Sequence, residues 1–480
     1  MRHPEHRPHR PHRPHRSRRS RRLLATGALV VAAAVGPLGS TAATAAPAAS
    51  AAPGAPAATG QSTGAAGPQE VSRGVAIPPF YDPPAQLPST DGALVRTEPL
   101  RLALSLPGLN GPLPGTATRL MYRSTDSGGR PVAVTGAYIQ PSAAWHGTGP
   151  RPVVAVASGT MGQGDQCAPS LALQNPLTVT AGTLSVGYED LGIYRLLARG
   201  IAVVATYYVG LGSTDRLHTY VNRVDEGHAL LDAVRAAREL PGTDLAPDSK
   251  VGLYGYSQGG GASAAAAELQ PSYAPDVQLA GVYSGAPPAD LAAVVKGIDG
   301  SALAGALGWS INGFAQSYPR LKAVVDRYVN AQGKAALADL STMCVGDAIL
   351  HYGFQRSTSW TKDGESLSRI IAEVPALQQV LDDQRIGDGE PASGVPVRIA
   401  TGTRDDIVPH AQARQLAVEW CAKGADVDYV PVRLPNLGDK LLTNHLAPMI
   451  ADQTAAISWM ADRLNGEPAA SNCAGLPSQP

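Results

Sequence analysis

Residues 251–269 read "VGLYGYSQGGGASAAAAEL". Apolar and aromatic residues run into Gly255-Tyr256-Ser257-Gln258-Gly259, and an Ala-rich, helix-prone segment follows with no spacer. This is G-x-S-x-G set between a strand and a helix. A strand that turns straight into a helix needs small residues two positions either side of the corner, so that the two elements approach closely. Such a turn lifts the Ser257 hydroxyl to the C-terminal edge of a sheet. It also aims the backbone N–H of Gln258 at an incoming carbonyl oxygen. The pattern alone is common, and an ordinary Gly-rich turn would also produce it. The strand before and the helix after favour a nucleophile.

A serine at its ordinary pKa needs a base, and the base needs an orienting acid. In this architecture the chain order is Ser, then acid, then His. Of the 11 histidines, five lie in the first 15 residues, and His146, His218 and His228 precede the serine. His351 falls in a helical stretch away from the strand pattern. His410 follows "DDIVP" at once, too close to the acid loop to be reached independently. His445, in "LLTNHLAP" just before the final helix, is the expected base, on a loop. The acid belongs after the strand "PVRIATGT" (396–403), where "ATGTRDDIVP" offers Asp405 and Asp406. Asp405 is preferred, and Asp406 is then a solvated neighbour or a helix cap. A second oxyanion donor should come from a loop after an earlier strand. "ASGTMGQGDQCAPS" (157–170) follows "RPVVAVA", so a backbone N–H among Thr160, Met161 and Gly162 is expected to join that of Gln258. Asp165 could act as an orienting residue behind them; a plain surface loop tethered at Cys167 is the bland reading.

Strand and helix patterns alternate over about 140 residues. Strands are expected within 117–141 (a pair turning at Asp126–Gly129), 151–160, 201–212, 249–258 and 277–287, with a helix at 225–240. This alternation predicts an α/β fold with a mostly parallel sheet flanked by helices. It stops at 288–394, where helical patches and the apolar run "SALAGALGWSINGFA" appear, and resumes at 396. The core is therefore expected over 76–287 and 395–480, interrupted by a mainly helical insertion at 288–394. The apolar run could line an acyl-binding tunnel or pack the insertion's own core.

The formal net charge of the 480 residues is zero. Nine Arg and a single acid, Glu5, fall within residues 1–45, leaving 30 basic against 38 acidic residues elsewhere, a net of −8. A mildly acidic body gives no footprint for nucleic acid. "SRRSRR", the Gly-interrupted run "LLATGALVVAAAVGPLG" and "STAATAAPA" read as a secretory signal cleaved after Ala45, with a twin-arginine route as a variant. The run is too short and weak for a stable membrane anchor. Residues 46–75 are Ala, Pro, Gly and Ser with little to bury, and are expected to be a disordered linker. Cys167, Cys344, Cys421 and Cys473 all lie in the exported part. An even count there favours two disulfides over a metal site, and spacing alone does not choose among the three pairings. No metal or cofactor is expected, and a monomer is.

Six stretches together resemble the secretory lipase family: "GYSQGGGASAAAAE", "GTMGQGDQCAPS", "GLGSTDRLHTY", "SGAPPADL", "GTRDDIVP" and "NH" at 444–445. The resemblance spans about residues 76–465. It implies an α/β-hydrolase whose helical insertion serves as a lid, and a Ser–Asp–His enzyme acting on carboxylic esters, often triacylglycerols. It also implies a Cys167–Cys344 tether between oxyanion-side loop and lid, which leaves Cys421–Cys473 as the second pair. Tyr207 departs from the pattern, standing where the family often has an acid, which puts a polar contact there in question. The competing functions are a short-chain or aromatic-ester carboxylesterase and a non-catalytic secreted binding protein on the same fold.

Overall fold

The computed structural model of the chain describes residues 70–107 and 113–480. The expected signal (1–45) and residues 46–69 of the expected linker lie outside the described residues. Residues 70–75 of that segment are described. There Val71–Ser72 pairs with Val75–Ala76 as a short antiparallel hairpin, and the Ser72 hydroxyl donates to Gln166 Oε1 at 2.6 Å.

A nine-stranded sheet runs through the described residues. From one edge its strands are Val427–Val432, Val397–Gly402, Leu279–Gly285, Val251–Tyr256, Val153–Ala157, Ala202–Val209, Pro131–Pro141, Gly115–Thr125 and Leu94–Leu100. The first six are mutually parallel, and the last three join antiparallel. Crossing helices cover both faces of the parallel part, so its strands are mostly apolar, and the buried Arg398 among them is paired with Asp428 and Asp452. Every residue of Val153–Ala157, Ala202–Val209, Val251–Tyr256 and Val397–Gly402 is buried. The helices Arg223–Glu239, Gln258–Tyr273 and His410–Ala422 pack on one face, and Asp190–Leu197 and Thr443–Asn465 on the other. The edge strand Leu94–Leu100 has no counterpart in the sequence reading. Its Arg96, Glu98 and Pro99, next to its last residue, mask the alternation that would have marked it.

Between Gly285 and Val397 the chain leaves the sheet and forms seven helices, from Leu291–Ile298 to Pro375–Asp383. They close around their own apolar cluster, centred on the fully buried Trp309. The Trp309 Nε1–H donates to the Leu340 carbonyl at 2.9 Å, so the ring fills the core without stranding its polar atom. The helix Leu291–Ile298 starts sharply because the Asp290 carboxylate caps the N–H groups of Ala292 and Ala293.

Two disulfides pin the assembly. Cys167–Cys344 links the loop after Val153–Ala157 to the insertion, and Cys421–Cys473 links the helix His410–Ala422 to the C-terminal segment. These are the pairings the family resemblance implied. The second closes a loop of 52 residues. Replacing Cys421 and Cys473 together by alanine is expected to cost about 4 kcal/mol of stability on chain-entropy grounds, seen as a lower urea midpoint under oxidising conditions.

Candidate active site

The elbow is built by close approach. A Cβ on Gly259 would lie 2.0 Å from the Ala157 carbonyl oxygen, and one on Gly255 2.2 Å from the Gly259 carbonyl oxygen. Any side chain there would push the helix off the strand. Between them Ser257 is held at φ 59°, ψ −123°, a region a non-glycine residue occupies only when its surroundings enforce it. The Ser257 N–H is tied to the Gly285 carbonyl at 2.8 Å. The hydroxyl therefore stands clear at the C-terminal edge of the sheet.

Ser257 Oγ lies 2.8 Å from His445 Nε2, and His445 Nδ1 lies 2.6 Å from Asp405 Oδ2. The remaining Asp405 oxygen, Oδ1, accepts the N–H groups of Ile407 at 3.1 Å and Val408 at 3.0 Å. The carboxylate is thus aimed, and the Nδ1–H tautomer of the imidazole matches it. Asp406 turns away: its Oδ2 accepts the backbone N–H of Lys440 and so secures the loop that leads to His445. His445 sits in the first turn of the helix Thr443–Asn465, not on a loop before it. The helix starts earlier than its apolar pattern because Leu442, at φ 70°, swings the chain directly into it. Asn444 then stitches the preceding segment through Asn436, Leu437 and Gly438. The Tyr256 hydroxyl donates to the His445 carbonyl at 2.7 Å, tying the residue before the serine to the histidine.

The loop after Val153–Ala157 has its peptide planes fixed one by one. The Ser158 carbonyl accepts the Tyr208 hydroxyl at 2.5 Å, and the next N–H, that of Gly159, donates to Glu189 at 2.8 Å. The Thr160 carbonyl accepts the Tyr188 hydroxyl at 3.0 Å, and the Met161 carbonyl accepts the N–H of Val345 at 2.8 Å. In a trans peptide the C=O and N–H point oppositely. These anchors therefore consume the Gly159 N–H and turn the Met161 and Gly162 N–H groups away from Tyr188 and Val345. Gln258 opens its helix, so its N–H has no intrahelical acceptor. Its side chain is locked, with Nε2 at 2.7 Å from Glu226 Oε1 and 2.9 Å from His218 Nε2. His218 Nδ1 faces the Val209 carbonyl at 3.0 Å, which assigns the proton to Nδ1 and leaves Nε2 to accept. Burial lowers the His218 pKa to about 4, consistent with a neutral ring.

Asp165 begins a short turn at Asp165–Cys167, and the charged groups it feels are Glu70 and Asp215. Tyr207 is fully buried, and burial raises its pKa while the neighbouring Ser170 hydroxyl acts to lower it. Glu189, Glu226, His218, Tyr188 and Tyr256 escaped the sequence reading. "GLGSTDRLHTY" carried His218 as part of a motif, but nothing local signals that a buried ring will meet Gln258.

A cavity of about 130 Å3 opens from Ser257 and Gln258 into the insertion. Leu303, Leu307, Ile311 and Phe314 from the apolar run line it, with Val324 and Leu381 opposite. Among the described residues no charged side chain lines it. Both roles weighed for the run are filled: Trp309 and Ala306 pack inward, while its other face borders the cavity.

The family model for secretory lipases matches residues 173–472. A probable inactive lipase of Mycobacterium tuberculosis is 30% identical over 393 residues, covering 81% of this chain and 82% of the relative. The chain belongs to the secretory lipase family. Lipase A of Arthroderma benhamiae is 27% identical over 81% of this chain and 79% of its own. A secreted triacylglycerol lipase of Malassezia globosa is 28% identical over 52% of this chain and 53% of its own. Among solved structures, closed-state lipase A of Candida antarctica superposes with a TM-score of 0.68 at 22% identity, covering 82% of this chain and 87% of that one. The rice cell wall degrading esterase of Xanthomonas oryzae gives 0.62 at 19%, covering 77% and 97%. The fold of this secretory lipase family member is thus the α/β-hydrolase fold.

Removing the Tyr256 hydroxyl should loosen the histidine more than the fold. Tyr256→Phe is expected to cost about 1 kcal/mol of stability, the net worth of one buried hydrogen bond, in a urea titration.

Proposed function

We propose that the chain is a secreted serine hydrolase that cleaves carboxylic esters of long acyl chains, as a triacylglycerol lipase does. The observation that carries this reading is an uncharged, apolar cavity opening directly from Ser257. An acyl chain laid in it would place its ester carbonyl at the serine. In that reading His445 takes the Ser257 proton as the hydroxyl attacks the carbonyl carbon. Asp405 holds the tautomer and stabilises the imidazolium. The N–H of Gln258, with that of Met161 or its neighbours Thr160 and Gly162, receives the oxyanion. His445 then protonates the leaving alcohol, and water releases the acid in a second half-reaction. The insertion 288–394 would cover the cavity as a lid.

Export belongs to the same reading. Its supports are the signal-like residues 1–45, the two disulfides, relatives named as secreted, and the fact that no described helix is long and apolar enough to cross a membrane. One relative is named probable inactive, so a silent binding protein is the competing reading. The hydrogen-bonded run from Ser257 through His445 to Asp405 speaks against it here.

Hydrolysis of p-nitrophenyl esters of two to eighteen carbons, with emulsified triolein alongside, tests the reading. Activity should persist on long chains and vanish in Ser257→Ala. Short-chain activity alone would make the protein an esterase; no hydrolysis would favour the binding reading. Asp405→Asn is expected to lower kcat about 10,000-fold by enforcing the wrong tautomer. Asp406→Asn, one residue away, should stay within about tenfold; the reverse ranking would exchange the two roles. Narrowing the cavity by Leu307→Trp should reduce kcat/KM at least about 10-fold on long esters and spare four-carbon ones.

A further inference from the structure

Two carboxylic acids outside the Ser–His–Asp set, the buried Glu226 and the half-buried Glu189, stand one behind each group proposed to bind the oxyanion. Glu189 accepts the Gly159 N–H at 2.8 Å, while the adjoining Tyr188 holds the Thr160 carbonyl. Glu226 accepts the Gln258 side-chain amide at 2.7 Å and the Val221 N–H at 3.0 Å. The two arms come from distant parts of the chain, yet each ends on an acid within two residues of a proposed donor. Tyr208 connects them: its hydroxyl fixes the Ser158 carbonyl and its ring stacks on His218, 5.8 Å between centroids, which in turn meets Gln258.

We propose that Glu189 and Glu226 are positioning residues, one for each arm of the oxyanion hole. The proposal rests on the reading of Ser257 as nucleophile. Each acid fixes its donor by a hydrogen bond that a neutral carboxyl or a carboxylate can accept. The protonation state matters for a second reason. Ionisation places a negative charge behind the donors, where negative charge also develops in the transition state, so it opposes catalysis. The surroundings favour the neutral form. Glu189 is faced by Tyr188 and Asp190 on its own segment and by Tyr208 and Tyr254 from the sheet. Glu226 is faced by Asp225 on its own helix, and by Tyr208, Tyr220, neutral His218 and the Gln258 amide. Among these groups there is no cation. Burial raises both acids to about 8. A raised carboxyl is neutral below its folded pKa and charged above it, so kcat should fall as pH rises through that value.

The experiment compares Glu189→Gln, Glu189→Ala, Glu226→Gln and Glu226→Ala with wild type and Ser257→Ala. It measures kcat and KM for p-nitrophenyl octanoate from about pH 5 to 10, inhibition by an alkyl trifluoromethyl ketone that forms an oxyanion on the serine, and Tm. The alanine variants should lose about 100-fold in kcat, the scale of a misplaced donor, with KM within about threefold. Inhibitor affinity should fall by a similar factor. Glutamine accepts the same hydrogen bonds and stays neutral. The glutamine variants should therefore keep kcat within about threefold near pH 6 and hold it above pH 8, where wild type declines. Alanine variants with wild-type kcat and inhibitor affinity would overturn the proposal, as would glutamine variants as impaired as alanine. If the alanine variants do not fold, a glutamine variant with the wild-type pH profile overturns it alone. Wild type with no more ester hydrolysis than Ser257→Ala would overturn the hydrolase reading instead.

Discussion

Ser257 is held at φ 59° and ψ −123°, and the active-site geometry descends from that one strained residue. Such a conformation costs of order 1–3 kcal/mol and persists only when neighbours enforce it. The enforcement here is backbone against backbone. Gly259 lies on the Ala157 carbonyl and Gly260 on that of Gly285, so the helix Gln258–Tyr273 wedges between two strand ends. The wedge sets the hydroxyl against His445 and the Gln258 N–H beside the loop 158–163. It also explains the Ala-rich helix: larger residues on its inner face would hold it away from the sheet.

The insertion divides its apolar residues between two tasks. Trp309 and its neighbours give it a buried apolar cluster, while Leu307, Ile311 and Phe314 of the helix Ala306–Ser317 line the cavity as they pack against the surrounding helices. The Trp309 hydrogen bond to Leu340 lets a large aromatic ring fill that core.

Much of this was legible because it is local. The elbow at 255–259, the parallel strands and the end of the strand pattern at 288 follow from residue type and spacing over short windows. Asp405 was favoured over Asp406 from the same loop, and the structure brings Asp405 to His445 while Asp406 meets Lys440. What stayed hidden is non-local or runs against its own segment. Leu94–Leu100 carries charges and a proline at an edge, where strand patterning is weakest. The first turn at Thr443 depends on a left-handed Leu442, which no propensity favours. Nothing in their own segments marks Glu189 and Glu226, because their partners Gly159 and Gln258 lie 30 and 32 positions away in the chain.

The Cys167–Cys344 bond has a mechanical consequence. It is reinforced by the main-chain pairing of Met161 with Val345 and of Gln163 with Met343, so residues 343–345 are tied to the loop that follows Val153–Ala157. The insertion is therefore anchored at three points: its two ends on neighbouring strands and its middle on the loop that follows Val153–Ala157. These three attachments oppose a single rigid swing of the whole insertion about its ends. A displacement at residue 344 is passed through the disulfide and the two main-chain hydrogen bonds to the backbone of residues 161–167.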